Sequence, residues 1–245
     1  MKTLLLSLVI AAITHSVTAS AAITVTDYLG RSVTLSKPAE RVIALAPHIV
    51  ENVYAAGAGK TLVGAVDYCD YPPEANEITR VGSISSYSLE AIIALKPDLV
   101  LVWHSGRGGD VLTKLDRLGI PAYAGDPHAL EDVARSIRDY GKLTGNQIYA
   151  EAAAKHFENR HQNLSTEHKN KTPISVLYQV WNDPIQTLND EHIISDVIRL
   201  CSGLNAFGDS PSLVPKISVE SVISRDPEVI IASGMAEERP EWLDT

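Results

Sequence analysis

The chain has 245 residues, 45% of them hydrophobic, and a formal net charge of -9 at neutral pH. That length suffices for one large domain or two ordinary ones with real cores. The surplus of acid disfavours nucleic acid or an anionic membrane surface as partner and leaves small ligands open.

At the N-terminus, Lys2 precedes the apolar run LLLSLVIAAI and then small residues ending in Ala19-Ser20-Ala21. This is the pattern of a secretory leader cleaved near Ala21, so residues 1–21 are expected to be removed on export. No other stretch approaches the roughly 18 to 20 apolar residues a membrane span needs. No cysteine follows the cleavage point to carry a lipid, and a free periplasmic protein is the expectation.

From Ile23 onward, short strand-like runs alternate with amphipathic helical ones: RVIALAP, IVENVYAAGAG, TLVGAVDY, SLEAIIALK, PDLVLVW, VLTKLDRLG, IPAYAGD. Such alternation predicts an α/β fold with a mainly parallel sheet over residues 22–129. Between Leu130 and Lys171 the strand signal disappears, and the segment reads as helix with a weak point from Gly141 to Gly145. Its second part, about 24 residues, would be roughly 36 Å long at the α-helical rise, which suits a rigid connector over residues 130–171. The strand and helix pattern resumes with ISVLYQVW, HIISDVIRLCSG, SVESVISRD and PEVIIASG, giving a second unit at 172–245.

An internal repeat links the two units. SLEAIIALKPDLV, starting at Ser88, aligns without a gap on SVESVISRDPEVI, starting at Ser218, and HIVENV from His48 aligns more weakly on HIISDV from His192. Two lobes of one design, joined by a long helix, follow. A helical connector predicts little closure between them. In the first unit PDLVLV is followed by a further helix and strand, whereas little chain follows PEVIIASG. The second lobe is therefore expected to be incomplete at its C-terminal end.

Clefts in α/β proteins open at the carboxyl ends of parallel strands. The turns there contain Pro47-His48, Tyr68 to Tyr71, Ser83 to Tyr87, Trp103-His104 and Trp181 to Asp183. Tyr68, Trp103 and Trp181 supply large apolar area at low entropic cost, with Pro47, His48 and Tyr87 beside them, and these six are the candidate ligand contacts. Ser88 and Ser218 are suited to cap helices, placing Glu90 and Glu220 in first turns where the helix dipole favours an acid. The same Ser-x-Glu on both lobes also fits docking onto a two-fold partner with basic pockets.

His48, His104 and His192 would lie near the cleft, but no HxH, HExxH or CxxC spacing accompanies them, and no metal site is assigned. His156, His161 and His168 fall on the connector and are expected to be solvated. Ser105 to Gly109 lacks the Lys-Ser/Thr ending of a phosphate-binding loop and is expected to be a flexible cleft edge. Cys69 and Cys201 could pair in a compartment where thiols oxidise, but they fall in different halves and read as small buried side chains. No serine sits in a GxSxG elbow, so no catalytic residue is assigned.

The runs RVIALAPHIVENVYAAGAG, VDYCDYPPEA, SLEAIIALKPDLVLVW and SVESVISRDPEVIIASG resemble the periplasmic binding proteins for cobalamin, ferric siderophores and haem. The resemblance implies two Rossmann-like lobes on one backbone helix and a role delivering cargo to an inner-membrane ABC permease dimer. It implies a monomer without a resident cofactor. By comparison with the cobalamin member, Glu90 and Glu220 would dock on permease arginines, Tyr68 and Trp181 would contact a corrinoid, and cobalamin would be the cargo. That member's tryptophan before the first glutamate has no counterpart, Ile84 and Tyr87 standing there instead. The family also continues through a further strand and helix bearing a cysteine that would pair with Cys201. A ferric siderophore or haem carrier is the alternative cargo class, for which the cleft turns offer only Arg107. A secreted α/β hydrolase or metal-dependent enzyme is the alternative of another kind.

Overall fold

The computed structural model describes residues 22–233, with every side chain among them except that of Arg107. The expected leader at 1–21 and the last part of the second unit, 234–245, lie outside the described residues. The chain opens with an antiparallel hairpin of β1 (Ile23–Thr26) and β2 (Ser32–Leu35). Its turn is tied by the buried Asp27 carboxylate, which accepts from the Leu29 and Arg31 amides and from the Arg31 guanidinium at 2.9 to 3.0 Å.

Next come β3 (Val42–Ala44), α1 (Pro47–Ala55), β4 (Leu62–Ala65), a short β5 (Gly82–Ser83) and β6 (Ser86–Tyr87) hairpin, and α2 (Leu89–Ala94). They are followed by β7 (Leu99–Trp103), α3 (Gly109–Arg117), β8 (Ala122–Gly125), α4 (Leu130–Leu143) and α5 (Gln147–His168). The remaining elements are β9 (Ile174–Gln179), a β10 (Trp181–Asn182) and β11 (Ile185–Gln186) hairpin, α6 (Ile193–Leu200), β12 (Gly203–Asn205), α7 (Val219–Arg225) and β13 (Val229–Ala232).

The parallel α/β class expected from the alternation is observed. One sheet runs β4-β3-β7-β8 and another β12-β9-β13, every pairing parallel. Numbered within its own half, each sheet has the order 2-1-3, and the first adds a fourth strand. The repeat read from sequence is thus a repeat of topology, with β9, β12 and β13 standing where β3, β4 and β7 stand. The first sheet carries the larger core: all of β3 and β8 and the first four residues of β7 are buried. The second core is small among the described residues, centred on Leu177, Phe207 and Val222.

The helical stretch breaks where glycine made it weak. Gly145 has φ +76°, a left-handed value that glycine adopts without steric cost. The chain reverses there, and α4 and α5 pack side by side. Ala134, Ile137, Tyr140 and Leu143 of α4 join the first core, with Ala150 and Ala154 of α5 against them. The longer of the two, α5, has 22 residues and is about 33 Å long. Arg138 of α4 forks onto Glu151 and Glu158 of α5, holding both carboxyls below their usual range.

A methyl at Gly141 would lie 2.1 Å from the Ala150 Cβ, so the helices touch backbone to backbone at this point. Gly141→Ala should force them apart and destabilise the protein by about 1 to 3 kcal/mol. Urea unfolding measures this, with Gly109→Ala as a comparison at a helical φ of -60°, where the added carbon meets only His104 Cε1 at 3.9 Å.

Candidate functional site

A parallel sheet of order 2-1-3 has its crevice beyond the carboxyl ends of strands 1 and 3, because the connections leave those strands on opposite faces. In the first sheet these are β3 and β7. Pro47 opens α1 just after β3, pre-set in φ for a first helical position, and His48 follows it. Trp103 ends β7, and the two rings meet edge to face with centroids 5.4 Å apart. The glycine run after Trp103 is a single π-helical turn over His104–Gly108 that leads into α3, where a flexible loop was expected. Its glycines have a steric reason: a Cβ at Gly106 would enter the Trp103 indole, and one at Gly108 would lie 2.5 Å from the Trp103 carbonyl.

His48 and Trp103 form one wall of a cavity of about 820 Å³, together with Glu51, Asn52, Tyr71 and Ser105. Val133 and Ile137 of α4 and His156, Phe157 and Arg160 of α5 line it as well. His192, Ile193 and Ile194 at the start of α6 complete the wall with Leu213. His48 and His192, aligned by the internal repeat, thus reach one space from two helix N-termini.

Both of these imidazoles are held neutral. Burial pushes the His48 pKa down to about 4, and its Nε2 is buried with no hydrogen-bond partner among the described residues. His192 is lowered first by burial and then by neighbouring His128. Its Nδ1 accepts the Ile194 amide at 3.1 Å, an imidazole acting as helix cap, which leaves the ring proton on Nε2. His128 behaves oppositely: burial works against its proton, but the Glu191 carbonyl and Asp126 carboxylate outweigh it and raise the pKa.

His128 lines the cavity and belongs to a polar chain joining the two halves there. Ser105 donates to Asp126, whose carboxylate lies 3.4 Å from His128 Nε2. His128 Nδ1 lies 3.1 Å from the Glu191 carbonyl, and the Leu130 amide donates to Asp196 at 2.9 Å. These contacts fix the start of α4 against the start of α6.

Of the six candidate ligand contacts, the structure brings His48 and Trp103 together in the cavity wall. Pro47 starts the helix that carries His48 without lining the space. Tyr68 stands outside it, 83% exposed on a left-handed backbone with φ 62°. Such a conformation costs a non-glycine residue on the order of 1 kcal/mol or more, and here it holds an aromatic ring outward. Trp181 is 41% exposed in the β10-β11 hairpin, its indole donating to the Asp183 carbonyl. Tyr87 lines a separate depression with Leu89, Asp110 and Lys114.

Glu90 and Glu220 are both exposed in first helical turns, and both carboxyls are lowered by their own backbone amides and by Ser88 or Ser218. Each serine caps its helix, accepting from Ala91 or Ser221. His156 is exposed, as expected, and also lines the cavity. One expectation needs correction. Cys201 is exposed, while Cys69 is buried with its thiol pushed up to about 11 by burial.

Arg160, Phe157 and Tyr71 of the cavity wall were missed as site residues. The signal for the first two was present in the i, i+3, i+4 spacing of Ala153, Phe157, Arg160 and Leu164 along α5.

Comparison with known proteins gives the family. A model described as periplasmic binding protein matches residues 42–244. The chain belongs to the periplasmic binding protein family. It is 40% identical over 196 residues to the vitamin B12-binding protein of Vibrio cholerae, covering 80% of this chain and 71% of that one. The protein of the same name from Photorhabdus laumondii is 34% identical over 198 residues, 81% of this chain and 72% of that one. Among solved structures, the periplasmic vitamin B12 binding protein BtuF of Vibrio cholerae superposes with a TM-score of 0.78 at 38% identity, over 84% of this chain and 82% of that one. The periplasmic heme-binding protein RhuT of Roseiflexus gives 0.72 at 26% identity, over 79% and 76%.

The buried neutral imidazole of His48 has a consequence for stability. Its folded pKa of about 4 lies below the ordinary 6.5, so the unfolded chain binds the proton more readily between those values. Stability from this group is complete above 6.5 and is lost as pH falls toward 4, by at most about 3 kcal/mol. Urea unfolding of wild type and His48→Phe at pH 7, 5.5 and 4.5 should show a shallower acid loss in the variant.

Proposed function

We propose that this chain is the periplasmic substrate-binding component of an ABC importer and that it captures a corrinoid of the cobalamin type. It works by binding and release, without turnover. In this reading residues 22–129 and 172–245 form two lobes about a helical connector within 130–171, and residues 1–21 are the export leader. The observation that carries the proposal is the joint cavity reached by His48 and Trp103 from one half and by His192 from the other.

Three features of that cavity suit a corrinoid. Its volume, about 820 Å³, is near the upper end for small-molecule sites, which run from roughly 300 to 1,000 Å³. Its wall combines flat rings with apolar side chains from α4 and α5, matched to a large rigid macrocycle. The neutral imidazoles of His48 and His192, with Asn52, can hydrogen-bond to amides without imposing charge, and a corrin ring is fringed by neutral amides. Tyr68 and Trp181 are assigned to the parts of the ligand that remain outside. The relatives named for vitamin B12, at 34% to 40% identity, support this cargo over haem. Haem is the second reading, favoured by the imidazoles as iron ligands and by the solved heme-binding neighbour at 26% identity.

Calorimetric titration with cyanocobalamin tests the proposal, with haem and a ferric hydroxamate siderophore as comparisons. Submicromolar binding of the corrinoid is expected. Trp103→Ala should weaken it by roughly tenfold or more, the loss of a buried aromatic anchor. Binding of haem but not corrinoid would overturn the cargo.

Glu90 and Glu220 are assigned to the permease, since each is an exposed acid at the same point of the repeat. Glu90→Ala with Glu220→Ala should leave corrinoid affinity within about twofold, consistent with exposed charges, while abolishing corrinoid import in cells. A large loss of affinity would contradict the assignment.

A further inference from the structure

Several arginines among the described residues are held by acids. Arg31 pairs with Asp27, Arg138 with Glu151 and Glu158, Arg199 with Asp190 and Asp196, and Arg225 with Asp209. Arg160 differs. It lines the large cavity, it is exposed there, and no hydrogen bond or ion pair engages it among the described residues.

The carboxylate in the same wall does not neutralise it. Glu51 has its pKa raised, first by burial and then by Asp70, the behaviour of an acid with no cation beside it. His156 precedes Arg160 by one helical turn on the same face and lines the same cavity. The smaller apolar groove beside it, lined by Leu130, Leu164, Val197 and Leu200, is also walled by Arg160. Arg160 therefore borders both spaces, and an apolar groove of this kind is a surface along which an arginine stem can lie with its charged head elsewhere.

An unpaired guanidinium in a ligand cavity matches a phosphate or carboxylate group, which it can grip through two parallel N–H donors. The amides around a corrin ring are neutral, whereas the nucleotide loop of a complete corrinoid carries a phosphodiester anion. Taking that anion out of water requires a cation beside it. We propose that Arg160, with His156, forms a subsite for this phosphodiester and makes the protein prefer complete corrinoids over those lacking the nucleotide. The inference rests on the corrinoid reading of the cavity.

The test is calorimetric titration of wild type, Arg160→Gln and Arg160→Lys with cyanocobalamin and with dicyanocobinamide, which has no phosphodiester. Arg160→Gln should weaken cyanocobalamin binding roughly ten- to hundredfold, the range for a charge-assisted hydrogen bond, and leave dicyanocobinamide within about twofold. Arg160→Lys should recover part of the loss, because it restores the charge without the fork. The preference of wild type for the complete corrinoid should also shrink as salt rises.

Equal loss for both ligands in Arg160→Gln, or loss for neither, would overturn the subsite while leaving the corrinoid reading standing. Wild type binding neither ligand would overturn the corrinoid reading and the subsite with it.

Discussion

The contact between α4 and α5 is the constraint on which the rest of this molecule depends. Gly141 lets the two helix backbones approach until a single methyl would collide with Ala150, and Arg138 clamps the same interface from its solvent side. Because α4 is part of the first core, α5 leaves that core as a braced rod and not as a hinge. The second sheet begins just after it, so its placement is inherited from helix packing. The chain from Ser105 through Asp126 and His128 to Glu191 adds a second tether near the cavity. Two supports make large closure motions costly, and a cavity already formed suits a ligand that is itself rigid.

The site follows from topology used twice. Each sheet reverses its strand order at the same point, and a helix starts beside each reversal. His48 and His192 stand at those starts, as Ser88 and Ser218 stand at the starts of α2 and α7. One pair of helix N-termini faces the cavity, and the other carries exposed glutamates. A duplicated design thus supplies both an inward site with contributions from each half and an outward pair of matched acids. The wall between the two sheets is where the duplication ends, and α5 fills it with residues that have no partner in the repeat. Arg160 is one of these, which is why it can break the near-neutral character of the rest.

Much of this was legible in the residues. The alternation of short apolar runs with amphipathic ones encodes a parallel sheet because strand and helix periods differ, and Ser88 and Ser218 announced their helices by cap chemistry. His48 and Trp103 were found because turns at the carboxyl ends of parallel strands face the cleft. What was not legible depended on rotation and long-range packing. That His156, Phe157 and Arg160 border one cavity is set by how α5 is turned on α4, which hinges on one glycine contact. The glycines after Trp103 looked like a loop because their steric partner, the indole, is known only once the turn is built. Tyr87 shared a turn with cleft residues, yet the β5-β6 hairpin carries it to another surface. The chain reversal at Gly145 was visible as a weak point but not as a change of direction.

The central claim is that the starts of α1 and α6, the end of β7 and the middle of α5 form one corrinoid site. Hydrogen-exchange mass spectrometry with and without saturating cyanocobalamin tests it most directly. The account predicts coordinate protection in peptides covering residues 47–55, 103–109, 156–160 and 192–196, with little change in the exposed turns bearing Glu90 and Glu220. Protection confined to one half of the chain, or centred away from α5, would contradict it.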